Sequence, residues 1–66
     1  MDNDQESIRR RLEDIAEAIA DLALERLRES VERGDQEAAA AEKRLTRARR
    51  AVVKAAHLLA KAEPAD

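Results

Sequence analysis

Residues 34–62, GDQEAAAAEKRLTRARRAVVKAAHLLAKA, decide how this chain folds. The stretch opens on the chain's single glycine, Gly34, followed by Asp35. Positions 38, 41, 45, 48, 52, 55, 59 and 62 are then all apolar, separated alternately by three and four residues. That is the spacing of side chains sharing one side of a helix. Size is divided as well: Leu45, Val52 and Leu59 occupy one heptad position, whereas Ala41, Ala48, Ala55 and Ala62 occupy the other. Large and small side chains in alternation let a facing helix approach to about 8 Å, the near end of the usual interaxial range.

Working outward, Gly34 supplies the left-handed conformation that commonly closes a helix, and Asp35 is placed to cap the next one. Gln36-Glu37 brings an acid to the positive end of the second helix dipole. Upstream, Asn3 or Asp4 caps a first helix, with Glu6 three residues after Asn3 in the arrangement of a capping box. Pro64 ends the second helix. The expected organisation is a single helical-hairpin domain over residues 1–66. Helix one covers about 4–33, the turn 34–35 and helix two about 36–62, with a short C-terminal tail. The fold class is all-α, an antiparallel two-helix hairpin expected to dimerise into a four-helix bundle.

The halves carry opposite charge. From Leu12 to Glu32 there are seven acids against two arginines, while from Lys43 to Ala62 there are seven Lys or Arg and no acid. Folding about Gly34 brings Glu25 near Lys43, Asp21 near Arg47, Glu17 near Arg50, Asp14 near Lys54 and Arg26 near Glu42. Exposed pairs of this kind are each worth about 0 to 1 kcal/mol. Their expected value is specificity, because pairing two copies of helix one, or two of helix two, would bring like charges together.

The seam between the helices is expected to be Ile8, Leu12, Ile15, Ile19 and Leu27 against Ala41, Leu45, Ala48, Val52, Ala55 and Leu59. Large residues tend to face small ones in that register: Ile8 meets Leu59, Leu12 meets Ala55 and Ala56, Ile15 meets Val52 and Val53, Ile19 meets Ala48, and Leu27 meets Ala41. After Leu22 the apolar stripe of helix one drifts to Ala23, Leu27 and Val31, steps that rotate around a straight helix. Leu22, Leu24, Val53 and Leu58 widen the stripe beyond what one neighbouring helix covers. They are expected to form a second, oligomeric interface.

A chain of 66 residues buries only about 60% of the surface it exposes when unfolded. It has no cysteine, one histidine and no aromatic residue, so neither a disulfide nor a zinc site supplies the missing stability. Oligomerisation is the remaining route, and a two-fold homodimer is its commonest form. A heterologous protein partner is the alternative. Charged residues make up 42% of the chain, yet the 44% that are hydrophobic fall at helical spacing, which argues against disorder. No basic segment leads into an apolar run as in a secretory signal, and no apolar stretch nears the roughly 20 residues that span a bilayer. A soluble, cytoplasmic protein without a membrane partner is expected. Helix two is basic and amphipathic, but Ala is a weak membrane anchor and no Trp or Phe inserts.

No motif for catalysis, metal or cofactor emerges. Ser7, Ser30 and Thr46 have no neighbouring base in sequence, as an activated nucleophile would require. His57 sits at an outward heptad position with no second His or Cys. The i,i+4 acids Glu13, Glu17 and Asp21 could mimic a carboxylate metal site, but no Glu-x-x-His accompanies them. Phosphate contact is the remaining chemistry. Arg9, Arg10, Arg11, Arg44, Arg49 and Lys61 have no acid opposite them in the hairpin register and are the candidate nucleic-acid contacts. Arg10 and Arg11 would lie beside Lys54, His57 and Lys61 as one basic end. Without aromatics to stack on bases, single-strand reading is disfavoured.

Chain length, Gly34-Asp35 at the midpoint and the Ala41/Leu45/Ala48/Val52/Ala55/Leu59 layering resemble the Rop family of plasmid-encoded RNA-binding proteins. These are small hairpins that dimerise into a four-helix bundle with layered Ala and Leu cores. The resemblance implies the same architecture; the phenylalanine on helix one of that family's RNA-contacting face has no counterpart here, so RNA binding is not implied. A fainter likeness is to the small subunit of exonuclease VII, also a short hairpin, through Leu24, Leu27, Val31 and Gly34-Asp35. Its leucine-rich segment after the turn is replaced here by Ala38 to Ala41. The expected function is a non-enzymatic structural or protein-interaction module that self-associates through its apolar seams. A small nucleic-acid-binding regulator and an accessory subunit of a larger enzyme are the alternatives.

Overall fold

A computed structural model describes residues 4–60. Two α-helices, α1 (Gln5–Arg33) and α2 (Gln36–Leu59), pack against each other as a hairpin. The ends follow from local chemistry. The Asp4 side chain accepts from the Ser7 N–H at 2.8 Å, satisfying one of the donors that the first turn leaves open; Asn3 and its part in a capping box lie outside the described residues. Gly34 closes α1 at φ 64°, ψ 32°, the left-handed region that only glycine enters at little cost. Asp35 then caps α2, accepting from the Glu37 and Ala38 N–H groups at 3.0 and 3.2 Å. The α2 helix ends at Leu59 and Ala60 is extended, earlier than the expected end near Ala62; Ala62 and Pro64 lie outside the described residues. The Ala60 N–H closes the helix on the carbonyls of Ala56 and His57.

The hairpin is a single layer, and its deepest side chains are small. Ala16 and Ala23 on α1 and Ala38 and Ala56 on α2 are the buried hydrophobics among the described residues. At about 100° per residue, Ala16 and Ala23 fall within about 20° of each other around α1, and Ala38 and Ala56 coincide around α2. They mark the line of closest approach. Alanine there permits a short interaxial distance but contributes little apolar area, so larger side chains pack along the margins. Ile8, Leu12, Ile19, Leu45, Val52 and Leu59 are half-buried. At the open end the Gln5 side-chain amide donates to the Leu59 carbonyl at 2.8 Å, tying the start of α1 to an otherwise open acceptor at the end of α2.

Candidate interaction faces

Angles measured from the alanine line divide the hairpin into two faces. On one, Glu13, Ala16 and Glu17 share a hollow of about 190 Å³ with Arg49, Val53, Ala56 and His57. Ala20, Ala23, Leu24 and Leu27 share another of about 230 Å³ with Glu42, Thr46 and Arg49. Both are smaller than the roughly 300 to 1,000 Å³ typical of small-molecule sites, and charge lines them. This is the mixed face.

The opposite face has a different chemistry. Ile8, Ile15, Ile19 and Leu22 fall on the other side of the alanine line from Glu13, Glu17 and Leu24, at roughly 60° to 120° from it. On α2, Ala41, Ala48, Val52, Ala55 and Leu59 fall on the corresponding side. Ile15 and Leu22 are 48% and 38% exposed, and Ala48 is exposed too. Most of the heptad positions expected to form the seam therefore line one margin of it, as an apolar face open to solvent. Leu27 belongs to the mixed face, 44% exposed.

Leu22, Leu24, Val53 and Leu58 do not share a surface. Leu24 and Val53 line hollows of the mixed face, Leu22 lies on the apolar face, and Leu58, 73% exposed, points away from both.

The cross-helix charge pairs are not formed. Among the described residues every ion pair lies within α1: Arg9 with Glu6 and Glu13, Arg10 with Glu6, and Arg26 with Glu29. The reason is angular. Asp14, Glu17, Asp21 and Glu25 stand roughly 100° to 180° from the alanine line of α1, and Lys43, Arg47, Arg50 and Lys54 stand as far from that of α2. All eight are exposed, on opposite outer edges of the hairpin. Arg26 and Glu42 lie on opposite faces, and each finds a partner on its own helix: Arg26 donates to Glu29 at 3.2 Å, and Thr46 Oγ1 donates to Glu42 at 2.9 Å.

The candidate phosphate contacts are scattered. Arg9 is held by Glu6, to whose Oε1 its Nε donates at 3.1 Å, and by Glu13. Arg10 stands 3.5 Å from Glu6, and Arg11 donates to Ser7 Oγ at 3.3 Å. Acids three and four residues away on the same helix, rather than across the hairpin, are what Arg9 and Arg10 find. The Arg9 hydrogen bond holds the Glu6 carboxyl below the usual carboxylate value, and the same contact raises the Arg9 guanidinium. Arg44 sits on the outer rim of the apolar face, Arg49 lines both hollows of the mixed face, and Lys61 lies outside the described residues. Lys43, Arg47, Arg50 and Lys54, expected opposite the acids of helix one, instead line up along one edge of α2 and make no ion pair among the described residues; their spacing of four, three and four already placed them on a shared edge.

Among the described residues no group of three potential metal ligands comes together, and no helix is long and apolar enough to cross a membrane. The chain matches no protein-family model, and comparison with curated proteins and with solved structures gives no significant match.

Proposed function

We propose that this chain is a non-enzymatic interaction module that completes its core by self-association, two hairpins closing into a four-helix bundle through the apolar face. One observation carries this: among the described residues the buried hydrophobics are four alanines, while Ile8, Ile15, Ile19 and Leu22 lie together on one open face. Fully burying one such side chain stabilises by about 1.5 to 3 kcal/mol, and a two-helix layer has no third element to do it. Sedimentation equilibrium over a concentration series, with helicity read by circular dichroism on the same samples, is the test. A helical dimer is expected. A monomer at all concentrations would reject self-association and turn the search to a different protein as the cover of that face.

Duplex nucleic acid is the second candidate partner, favoured by the row Lys43, Arg47, Arg50 and Lys54, which makes no ion pair among the described residues. Four cations on a phosphate backbone would give a log K against log salt slope of about −3.6. No retardation of duplex DNA or RNA at low salt would exclude it.

A further inference from the structure

Resting on the self-association proposed above, we infer that the second copy sits with its turn at the same end, so that each α1 lies across from the α2 of its partner. Two apolar faces meet under a two-fold axis in one of two ways. An axis parallel to the helices stacks α1 on the other copy's α2 with both turns together. An axis perpendicular to the helices stacks α1 on α1 and α2 on α2 with the turns apart.

Three observations bear on the choice of axis, and charge carries it. The first is charge. From Leu12 to Glu32, α1 carries seven acids and two arginines, whereas α2 from Lys43 onward is purely basic. Because Asp14, Glu17, Asp21 and Glu25 and also Lys43, Arg47, Arg50 and Lys54 lie on outer edges, they are not neutralised within one hairpin. With turns together, each acidic edge adjoins a basic edge and charge alternates around the bundle. With turns apart, acid adjoins acid and base adjoins base, a like-charge arrangement that disfavours assembly.

The second observation is size. On this face α1 presents Ile8, Ile15, Ile19 and Leu22, and α2 presents Ala41, Ala48 and Ala55 together with Val52 and Leu59. Stacking α1 on α2 sets Ile19 over Ala48, with Ile8 over Leu59 and Ile15 over Val52; stacking α1 on α1 sets Ile15 over Ile15 and Ile8 over Leu22.

The third is the position of the patch. Its apolar part spans Ile8 to Leu22 and Ala48 to Leu59, displaced toward the open end, while Arg26, Glu29, Arg33, Glu37 and Arg44 occupy the turn end of the same face. With turns together the two patches coincide along their length. Arg33 then lies within about 3 Å of the level of Glu37 of the second copy, an opposite charge, whereas Glu29 and Arg44 stay about 7.5 Å apart along the axis. With turns apart, superposing the patches slides the two turn ends past each other, so these charged groups meet nothing.

The experiment is a distance measurement on the full chain. The protein has no cysteine, so a single spin label on Glu32→Cys, an exposed site in the last turn of α1, reports turn-to-turn separation in the dimer by pulsed electron resonance. With turns together both labels fall within the width of a bundle whose neighbouring helices are 8 to 10 Å apart, below about 30 Å including the label arms. With turns apart and the patches superposed near Ile15, each label is about 17 residues from the axis, which puts the two about 51 Å apart. A short distance is expected. A long one overturns the same-end arrangement and leaves self-association standing, whereas a labelled chain that sediments as a monomer, like the unlabelled one, overturns both.

Discussion

Arg26 and Glu42, which a simple fold-back about Gly34 sets side by side, lie on opposite faces of the hairpin, each bound to a residue of its own helix. Arg26→Ala and Glu42→Ala are therefore expected to be additive in stability within about 0.5 kcal/mol. Arg26→Ala and Glu29→Ala should instead show a small favourable coupling, about 0.2 to 0.5 kcal/mol, as for other helical pairs three or four residues apart. Double-mutant cycles by urea denaturation distinguish the two. Coupling between Arg26 and Glu42 larger than that between Arg26 and Glu29 would contradict the assignment of faces.

The turn gives a second prediction. A Cβ placed on Gly34 meets nothing within 4 Å, so a substitution there is penalised only through its positive φ. Gly34→Ala should cost about 1 to 2 kcal/mol, and Gly34→Asn less, because asparagine tolerates the left-handed region. Asp35→Ala should cost about 1 kcal/mol through loss of the cap on Glu37 and Ala38. Thermal denaturation at fixed protein concentration reads all three. Equal losses for Gly34→Ala and Gly34→Asn would mean that something other than backbone conformation sets the cost.

The starts of both helices, the end of α1 and the hairpin were legible because their signals are local: Asp4, Gly34 and Asp35 act on their own backbone neighbours, whereas the end of α2 falls at Leu59, short of the expected Ala62. The rotation of each helix about its axis was not. Leu45, Val52 and Leu59 form a regular heptad and suggest a seam, yet the position closest to the partner helix belongs to Ala56 and Ala38, displaced by a few tens of degrees. Fifteen alanines make the apolar stripe so wide that several rotations satisfy the pattern, and backbone proximity selects the smallest residues. That rotation also carries the acids and bases to outer edges, which no register along the chain could reveal.

Size changes in the core follow from the same geometry. Ala23→Leu and Ala56→Leu overpack the line of closest approach and are expected to cost about 1 to 3 kcal/mol. Ala48→Leu, on the exposed apolar face, should leave the hairpin intact and act on self-association instead. Its effect should then grow with protein concentration, whereas that of Ala23→Leu should persist at the lowest concentration at which helicity is measurable. The reverse order would move the contact line from the buried alanines to the heptad seam.

Acid should loosen the start of α1. The Glu6 carboxyl is held below its ordinary value chiefly by the hydrogen bond from Arg9. Its contribution is therefore fully present above the unfolded carboxylate pKa and is lost as pH falls through the folded value. The raised Arg9 value adds no dependence at any ordinary pH, since arginine stays charged. Hydrogen exchange, corrected for the intrinsic effect of pH, should show protection in the first turns of α1 declining below about pH 4.5. Glu6→Gln should remove that part of the decline. An unchanged acid profile in Glu6→Gln would assign it to other carboxylates.

The apolar face and Leu58 separate self-association from general hydrophobicity. Ile15 is 48% exposed and Leu58 73% exposed, so replacing either with lysine leaves the alanine contact of the hairpin untouched. Only Ile15 lies on the proposed interface. A two-fold assembly loses each contact twice, so at about 1.5 to 3 kcal/mol per side chain, Ile15→Lys should weaken dimerisation by roughly a hundredfold or more. Leu58→Lys should leave it within about threefold, because its direction is shared by neither face. Sedimentation equilibrium of both variants decides between them. If Leu58→Lys dissociates the dimer and Ile15→Lys does not, the assembly uses the outer edge of α2, and the face bearing Ile8, Ile15, Ile19 and Leu22 is open for another partner.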